Sequence, residues 1–211
     1  MTKIYFIRHG ETEHNVEKRI SGQIETMLTP KGIQQAVLVG QVMLKKGIFP
    51  DVILCSPLSR AVQTAQCINQ QFQSVIVYDT NLKEYSFGDF EGVKISELKQ
   101  TVFNPPYTCG DLIISNGTEL RKYHDSTDAQ YNVVFYPNGE TKNQAIMRFK
   151  RAITQYINNN KEINNVVVIA HGSIIRFFLS SIAPDLLKDK VKNCEIYELC
   201  YTPKTGFYID A

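Results

Sequence analysis

Four short apolar runs, Lys3–Ile7, Asp51–Cys55, Ser74–Tyr78 and Val166–Ala170, show near-continuous hydrophobicity and predict strands buried on both faces. Between them the apolar residues recur at helical spacing. Ile33, Ala36, Val37, Gly40, Val42, Met43 and Leu44 predict the inner stripe of a first long helix, opened by Thr29-Pro30 and closed near Gly47. A second helix follows Ser56-Pro57 and buries Leu58, Ala61, Val62, Ala65 and Ile68. A third runs from about Glu140 through Ile146, Phe149, Ile153 and Ile157 to an Asn-rich turn at Asn158–Asn160. The fourth starts directly after His171-Gly172, as Ile174, Ile175, Phe177, Phe178, Leu179 and Ile182. Strands alternating with helices predict an α/β three-layer sandwich, a mainly parallel central sheet with helices on both faces. Glu195–Tyr201 and Gly206–Ile209 flank Pro203-Lys204-Thr205 and predict a hairpin that gives the sheet an antiparallel C-terminal edge.

The segment from about Phe103 to Tyr136 breaks this rhythm with Pro105-Pro106, scattered aromatics and polar runs, and is too long for a plain connection. It predicts a short lid inserted into a single domain spanning 1–211, a length that one core can serve. Lys plus Arg number 23 and Asp plus Glu 21, so no overall field draws the chain to nucleic acid or a membrane, and any anion affinity must be local. Five cysteines, Cys55, Cys67, Cys109, Cys194 and Cys200, are odd in number and lack metal-knuckle spacing, which fits reduced thiols in a cytoplasmic protein. The N-terminal apolar run is too short for a signal peptide, and no stretch reaches the length of a membrane span.

Ligands in open α/β sheets bind beyond the carboxyl ends of the strands, so the residues leaving each strand carry the chemical information. Strand one exits into Arg8-His9-Gly10-Glu11-Thr12, strand two into Ser56-Pro57-Leu58-Ser59-Arg60, strand three toward Leu82-Lys83-Glu84, and strand four into His171-Gly172. Two arginines, two histidines and a carboxylate on one rim suit a phosphoryl group. Guanidinium forks match phosphate oxygens, which assigns Arg8 and Arg60 to the dianion. A neutral imidazole is a phosphorus nucleophile, which makes His9 the candidate for a covalent intermediate. His171 and the Gly172 N–H stand at a helix start that favours an anion. Glu84 is placed to protonate a leaving oxygen, with Glu11, Glu91 and Glu140 as rival carboxylates. No step requires a metal or other cofactor. For His14 and His124 a structural role is the simpler reading.

These pieces resemble the histidine phosphatase superfamily, in its cofactor-dependent phosphoglycerate mutase-like branch. The resemblance runs from Lys3 to about Ile209. It rests on Arg8-His9-Gly10-Glu11-Thr12 with Asn15, Leu28-Thr29-Pro30-Lys31-Gly32, Ser56-Pro57-Leu58-Ser59-Arg60-Ala61 with Gln63-Thr64-Ala65, Glu84 with Phe87-Gly88 and Glu91-Gly92, Pro137-Asn138-Gly139-Glu140-Thr141, and His171-Gly172 with Ile175-Arg176. It implies that His9 becomes phosphohistidine, that Arg8, Arg60 and His171 bind the phosphoryl group, and that Glu84 serves as acid and then as base for water. Asn15 matches a phosphate-pocket position, and Ser21 and Gly22 match substrate-contacting ones. The chain departs from the family pattern at Glu25-Thr26-Met27-Leu28 and at Asn138, outside the reacting set.

The combined reading is a phosphomonoester hydrolase acting on small phosphorylated metabolites through phosphohistidine, as a monomer or homodimer without nucleic-acid or membrane partners. Two alternatives share its residues: a phosphoglycerate mutase, disfavoured by the short lid, and a non-catalytic phosphate-ligand binding module, disfavoured by the complete catalytic set. Tyr107, Tyr123, Tyr131, Phe135 and Tyr136 in the lid, with few basic residues, predict a monophosphate whose remainder is neutral or partly apolar.

Overall fold

The computed structural model describes residues 1–98, 136–183 and 190–210. Its first strand, β1 (Thr2–Arg8), is followed by a one-turn helix α1 (Glu13–Val16) and the long helix α2 (Pro30–Lys45). The pattern continues with β2 (Val52–Cys55), α3 (Ser59–Asn69) and β3 (Val75–Tyr78). Two 3₁₀ turns, Thr80–Leu82 and Gly88–Phe90, and a short helix α4 (Ile95–Leu98) lead to the undescribed stretch. Beyond it come α5 (Lys142–Asn159), β4 (Asn165–Ala170), α6 (Gly172–Ile182), β5 (Ile196–Thr202) and β6 (Gly206–Tyr208). The predicted lid falls almost wholly outside the described residues, as do Cys109 and His124.

The sheet order is β3-β2-β4-β1-β5-β6. β1 pairs in parallel with β4, β4 with β2 and β2 with β3, while β5 runs antiparallel to β1 and β6 to β5. Successive residues of a strand point to opposite faces, and here each set has its own helical layer. Ile4, Phe6, Val52, Leu54, Val166 and Val168 pack under α5 and α6. Tyr5, Ile7, Ile53, Cys55, Val167 and Ile169 pack under α2 and α3. This is the expected three-layer sandwich. The α5–α6 layer is pinned by Phe178, whose ring lies 5.4 Å from Phe6, 5.3 Å from Phe149 and 4.9 Å from Phe207. The last contact ties the terminal hairpin to α6.

Two expectations need correction. β3 is not buried on both faces: it is the sheet edge, with Val75 and Tyr78 exposed. Its apolar character serves pairing to β2 and one-sided packing. On α2 the inward stripe is Gly32, Ala36, Val39, Gly40 and Met43, whereas Ile33, Val42 and Leu44 face outward. Apolar residues lie on more than one side of this helix, so periodicity alone did not select the face. The four described cysteines, Cys55, Cys67, Cys194 and Cys200, are free thiols. Among the described residues no helix is long and apolar enough to cross a membrane.

Candidate active site

The parallel pairing of β1 with β4 puts their carboxyl ends side by side, and His9 and His171 leave them with ring centroids 5.2 Å apart. The His9 N–H continues the ladder by donating to Ala170 O at 3.0 Å. Its Nδ1 lies 2.7 Å from the Gly10 carbonyl oxygen. A carbonyl only accepts, so Nδ1 carries the proton and Nε2 keeps its lone pair. Burial, then the charges of Arg60 and Arg8, hold His9 well below the ordinary imidazole value. The ring is therefore neutral at neutral pH, with a fixed tautomer.

Arg8, the last residue of β1, donates from Nη1 to Val191 O at 2.8 Å. Its buried Nε has no partner among the described residues and is a donor suited to an anionic oxygen. A Cβ on Gly172 would lie 3.2 Å from that Nε, so a residue without a side chain is what lets the guanidinium lie against the α6 terminus. Arg60 reaches in from the first turn of α3 and is fully buried. It donates from Nη1 to Ile24 O (2.8 Å), from Nη2 to Gly22 O (2.6 Å) and from Nε to His171 Nδ1 (3.2 Å). Burial lowers its guanidinium to about 10, which leaves it a cation at neutral pH. Each Nη retains one further N–H.

Because Arg60 can only donate, His171 Nδ1 accepts, and Nε2 carries the proton toward Ser56 Oγ at 2.7 Å. Burial, then Arg60, holds this ring neutral also. The structure thus brings His171 into the cluster as expected but commits both of its ring nitrogens to Arg60 and Ser56.

Glu84 stands on the turn after the first 3₁₀ segment, is 7% exposed, and its charge acts on both Arg8 and Arg60. Its Oε1 accepts from the N–H groups of Tyr85 and Ile174, both at 2.8 Å, and Oε2 accepts from the Ser173 N–H at 3.0 Å. The group that caps the α6 N-terminus is therefore the Glu84 carboxyl. Of the donors expected there for a ligand, Gly172 N–H alone remains without a partner among the described residues. With one bond against two, Oε2 is the oxygen with a lone pair to spare.

Asn15 is held by the α1 capping box: its Oδ1 accepts from Thr12 N–H at 3.2 Å and from Asn193 Nδ2 at 3.3 Å. That orientation turns the amide's NH₂ away from Thr12. Ser21 and Gly22 lie on the loop that wraps Arg60, and Gly22 sits at φ 50°. A Cβ there would be 2.2 Å from Glu91 Oε1, so any side chain would displace the Glu91 carboxylate that staples this loop, and glycine also suits the positive φ. Gly22 acts on the site through its carbonyl, which holds Arg60.

The rival carboxylates separate cleanly. Glu11 binds Thr29 and Lys31 at 3.1 and 2.8 Å, away from the cluster. Glu91 accepts from Gln23 N–H and Phe87 N–H and staples two loops. Glu140 pairs with Arg148. Tyr136, predicted to line a lid, is 3% exposed and packs in the core against Tyr85, Phe87 and Phe90.

Residues without an assigned role in the sequence also take part. Thr64 Oγ1 accepts from Gly10 N–H at 3.0 Å and donates to Arg60 O at 2.7 Å, tying the turn after β1 to the first turn of α3. Its spacing four residues after Arg60, one helical turn, was the available signal. Asn193 Nδ2 donates to His9 O at 2.8 Å across a separation of 184 residues, which nothing local announces.

The family model of the histidine phosphatase superfamily (branch 1) matches residues 4–107 and 115–209. The chain belongs to this superfamily. It is similar to the uncharacterized phosphatase PhoE of Bacillus subtilis (strain 168), with 28% identity over 196 residues, covering 92% of this chain and 85% of the relative. A broad-specificity phosphatase of Saccharomyces cerevisiae is 27% identical over 182 residues, covering 84% of this chain and 68% of the relative. Among solved structures, a phosphoglycerate mutase from Bacillus anthracis superposes with a TM-score of 0.83 at 22% identity, covering 100% of this chain and 92% of its own, which establishes the shared fold. For a member of this superfamily, the cluster at the ends of β1 and β4 is the candidate active site.

Proposed function

We propose that this histidine phosphatase superfamily member is a phosphomonoester hydrolase working through phosphohistidine at His9, on small phosphorylated metabolites. The observation that carries the reading is the His9 ring: neutral, with Nδ1 committed to Gly10 O, Nε2 left with its lone pair, and the charges of Arg60 and Arg8 acting on it. In the first half reaction Nε2 attacks phosphorus, the P–N bond forms and the bond to the leaving oxygen breaks, while Glu84, entering in its acid form, gives its Oε2 proton to that oxygen and is left as the carboxylate. In the second, the Glu84 carboxylate takes a proton from water, the water oxygen attacks phosphorus, and the P–N bond breaks to release inorganic phosphate. Arg8 Nε, the spare Arg60 N–H groups, the Gly172 N–H and the Asn15 amide hold the equatorial oxygens. His171 fixes Arg60 and, being neutral, adds no charge of its own. Ser21 faces the substrate's remainder, which is neutral or partly apolar. The chain works as a single cytoplasmic domain, monomeric or homodimeric.

Quenching the enzyme during turnover of a labelled phosphomonoester tests this directly, with acid-labile phosphate expected on His9. A fully active His9→Ala variant would overturn it. Assaying isomerisation and phosphate release side by side on 3-phosphoglycerate separates hydrolysis, the expected outcome, from mutase chemistry.

A further inference from the structure

Arg148 sits on α5, outside the cluster described above, yet all five of its N–H donors are engaged. Nε donates to Glu140 Oε2 at 2.9 Å, and Nη2 to Glu140 Oε1 at 2.6 Å, a bidentate pair. Nη1 donates to the carbonyls of Asn81 and Lys83, both at 2.7 Å, and the second Nη2 proton goes to Glu84 O at 2.8 Å. Glu140 Oε1 also accepts from Ser86 N–H at 2.8 Å. One ion pair therefore takes up three carbonyls and one N–H of the Asn81–Ser86 turn. That turn carries Glu84 between a 3₁₀ segment and a loop, where no helix or sheet ladder fixes the backbone.

We propose that Arg148 and Glu140 form a positioning pair that sets the Glu84 carboxyl at proton-transfer distance from the leaving oxygen. The proposal rests on the reading of Glu84 as the general acid and base. Glu84 is held from two sides: its carboxylate by the N–H groups of Ser173 and Ile174 on α6, its carbonyl by Arg148 and by Gln23 Nε2 at 3.0 Å. Removing the backbone restraint lets the turn shift while the helix terminus stays. Proton transfer needs a heavy-atom separation of about 2.6–3.2 Å, so a shift of about 1 Å costs on the order of 10²-fold. The pair is largely shielded, with side chains 19% and 16% exposed, so solvent screens it little. A lysine at 148 keeps the charge but has three donors and no planar fork, and cannot bridge Glu140 to three carbonyls.

A merely structural ion pair would lower activity toward every substrate in proportion to the folded fraction. A positioning pair gives a different signature, because a nitrophenyl leaving group departs without a proton and an alkoxide does not. The experiment measures kcat/KM of Arg148→Lys, Glu140→Gln and Glu84→Gln on p-nitrophenyl phosphate and on an alkyl phosphate, with circular dichroism reporting the folded fraction. For Arg148→Lys and Glu140→Gln the alkyl phosphate should fall by about 10²-fold while the nitrophenyl ester stays near wild type. A pre-steady-state burst of nitrophenol should also appear, since water activation slows. Equal losses on both esters in the Arg148 and Glu140 variants, with Glu84→Gln still discriminating, overturn the positioning pair alone. Equal losses in Glu84→Gln overturn the assignment of Glu84 and the pair with it.

Discussion

Two buried neutral histidines make the stability of this protein depend on pH in a defined direction. His9 and His171 are held well below the ordinary imidazole value by burial and by Arg60. In the unfolded chain both titrate near about 6.5. Below that value the unfolded state binds protons that the folded state refuses, so folding weakens as pH falls, with a limiting slope of about 1.4 kcal/mol per pH unit for each ring. From about pH 7 to about pH 5.5, each histidine costs about 1.2 kcal/mol and the two together about 2.5 kcal/mol. For a chain of this size that corresponds to a fall in Tm of roughly 5–10 °C. The carboxylates with lowered values, Glu11, Glu17 and Glu25, act in the same direction but at more acid pH. Urea unfolding followed by circular dichroism at fixed ionic strength, in buffers free of phosphate, measures the effect. His9→Asn should halve the slope, and the double variant with His171→Asn should remove most of it. A wild-type midpoint that is the same at both pH values would refute the reasoning, as would a single variant that keeps the full slope.

Two further predictions concern the supports of the site and the core. Gly22→Ala places a Cβ 2.2 Å from Glu91 Oε1 at a φ of 50°, and should cost about 1–3 kcal/mol in stability. Because Gly22 O holds Arg60, kcat/KM should fall even in the folded fraction, which steady-state assays at low temperature resolve; unchanged kinetics would contradict it. Phe178→Ala empties the space between Phe6, Phe149 and Phe207 and should cost about 3–5 kcal/mol in chemical denaturation, with much smaller losses at the outward-facing Leu38.

Strand positions were legible because buried parallel strands leave continuous apolar runs. The expected Lys3–Ile7 and Val166–Ala170 lie within the observed Thr2–Arg8 and Asn165–Ala170. Edge or centre was not legible at Ser74–Tyr78, since β-branched residues serve either place and the difference is whether a neighbour covers them. Similarly, α2 carries apolar residues on several sides, and only packing against α3 selected Ala36 and Met43 over Ile33 and Val42.

The site divides along the same line. The residue types and their attachment to strand exits are local properties, so Arg8, His9, Arg60, Glu84 and His171 could be read from the sequence and related to the family. Their states depend on partners far away in the chain. The free Nε2 of His9 follows from the Gly10 carbonyl, but its neutrality comes from burial beside Arg60, and the commitment of His171 to Arg60 and Ser56 comes from α3 and β2 meeting β4. Hydrogen bonds and desolvation act over a few ångströms regardless of sequence separation. For that reason the sequence by itself determined which groups stand on the rim, and only the tertiary structure decided which protons they carry, which donors stay free for an anion, and that Arg148 holds the turn of Glu84.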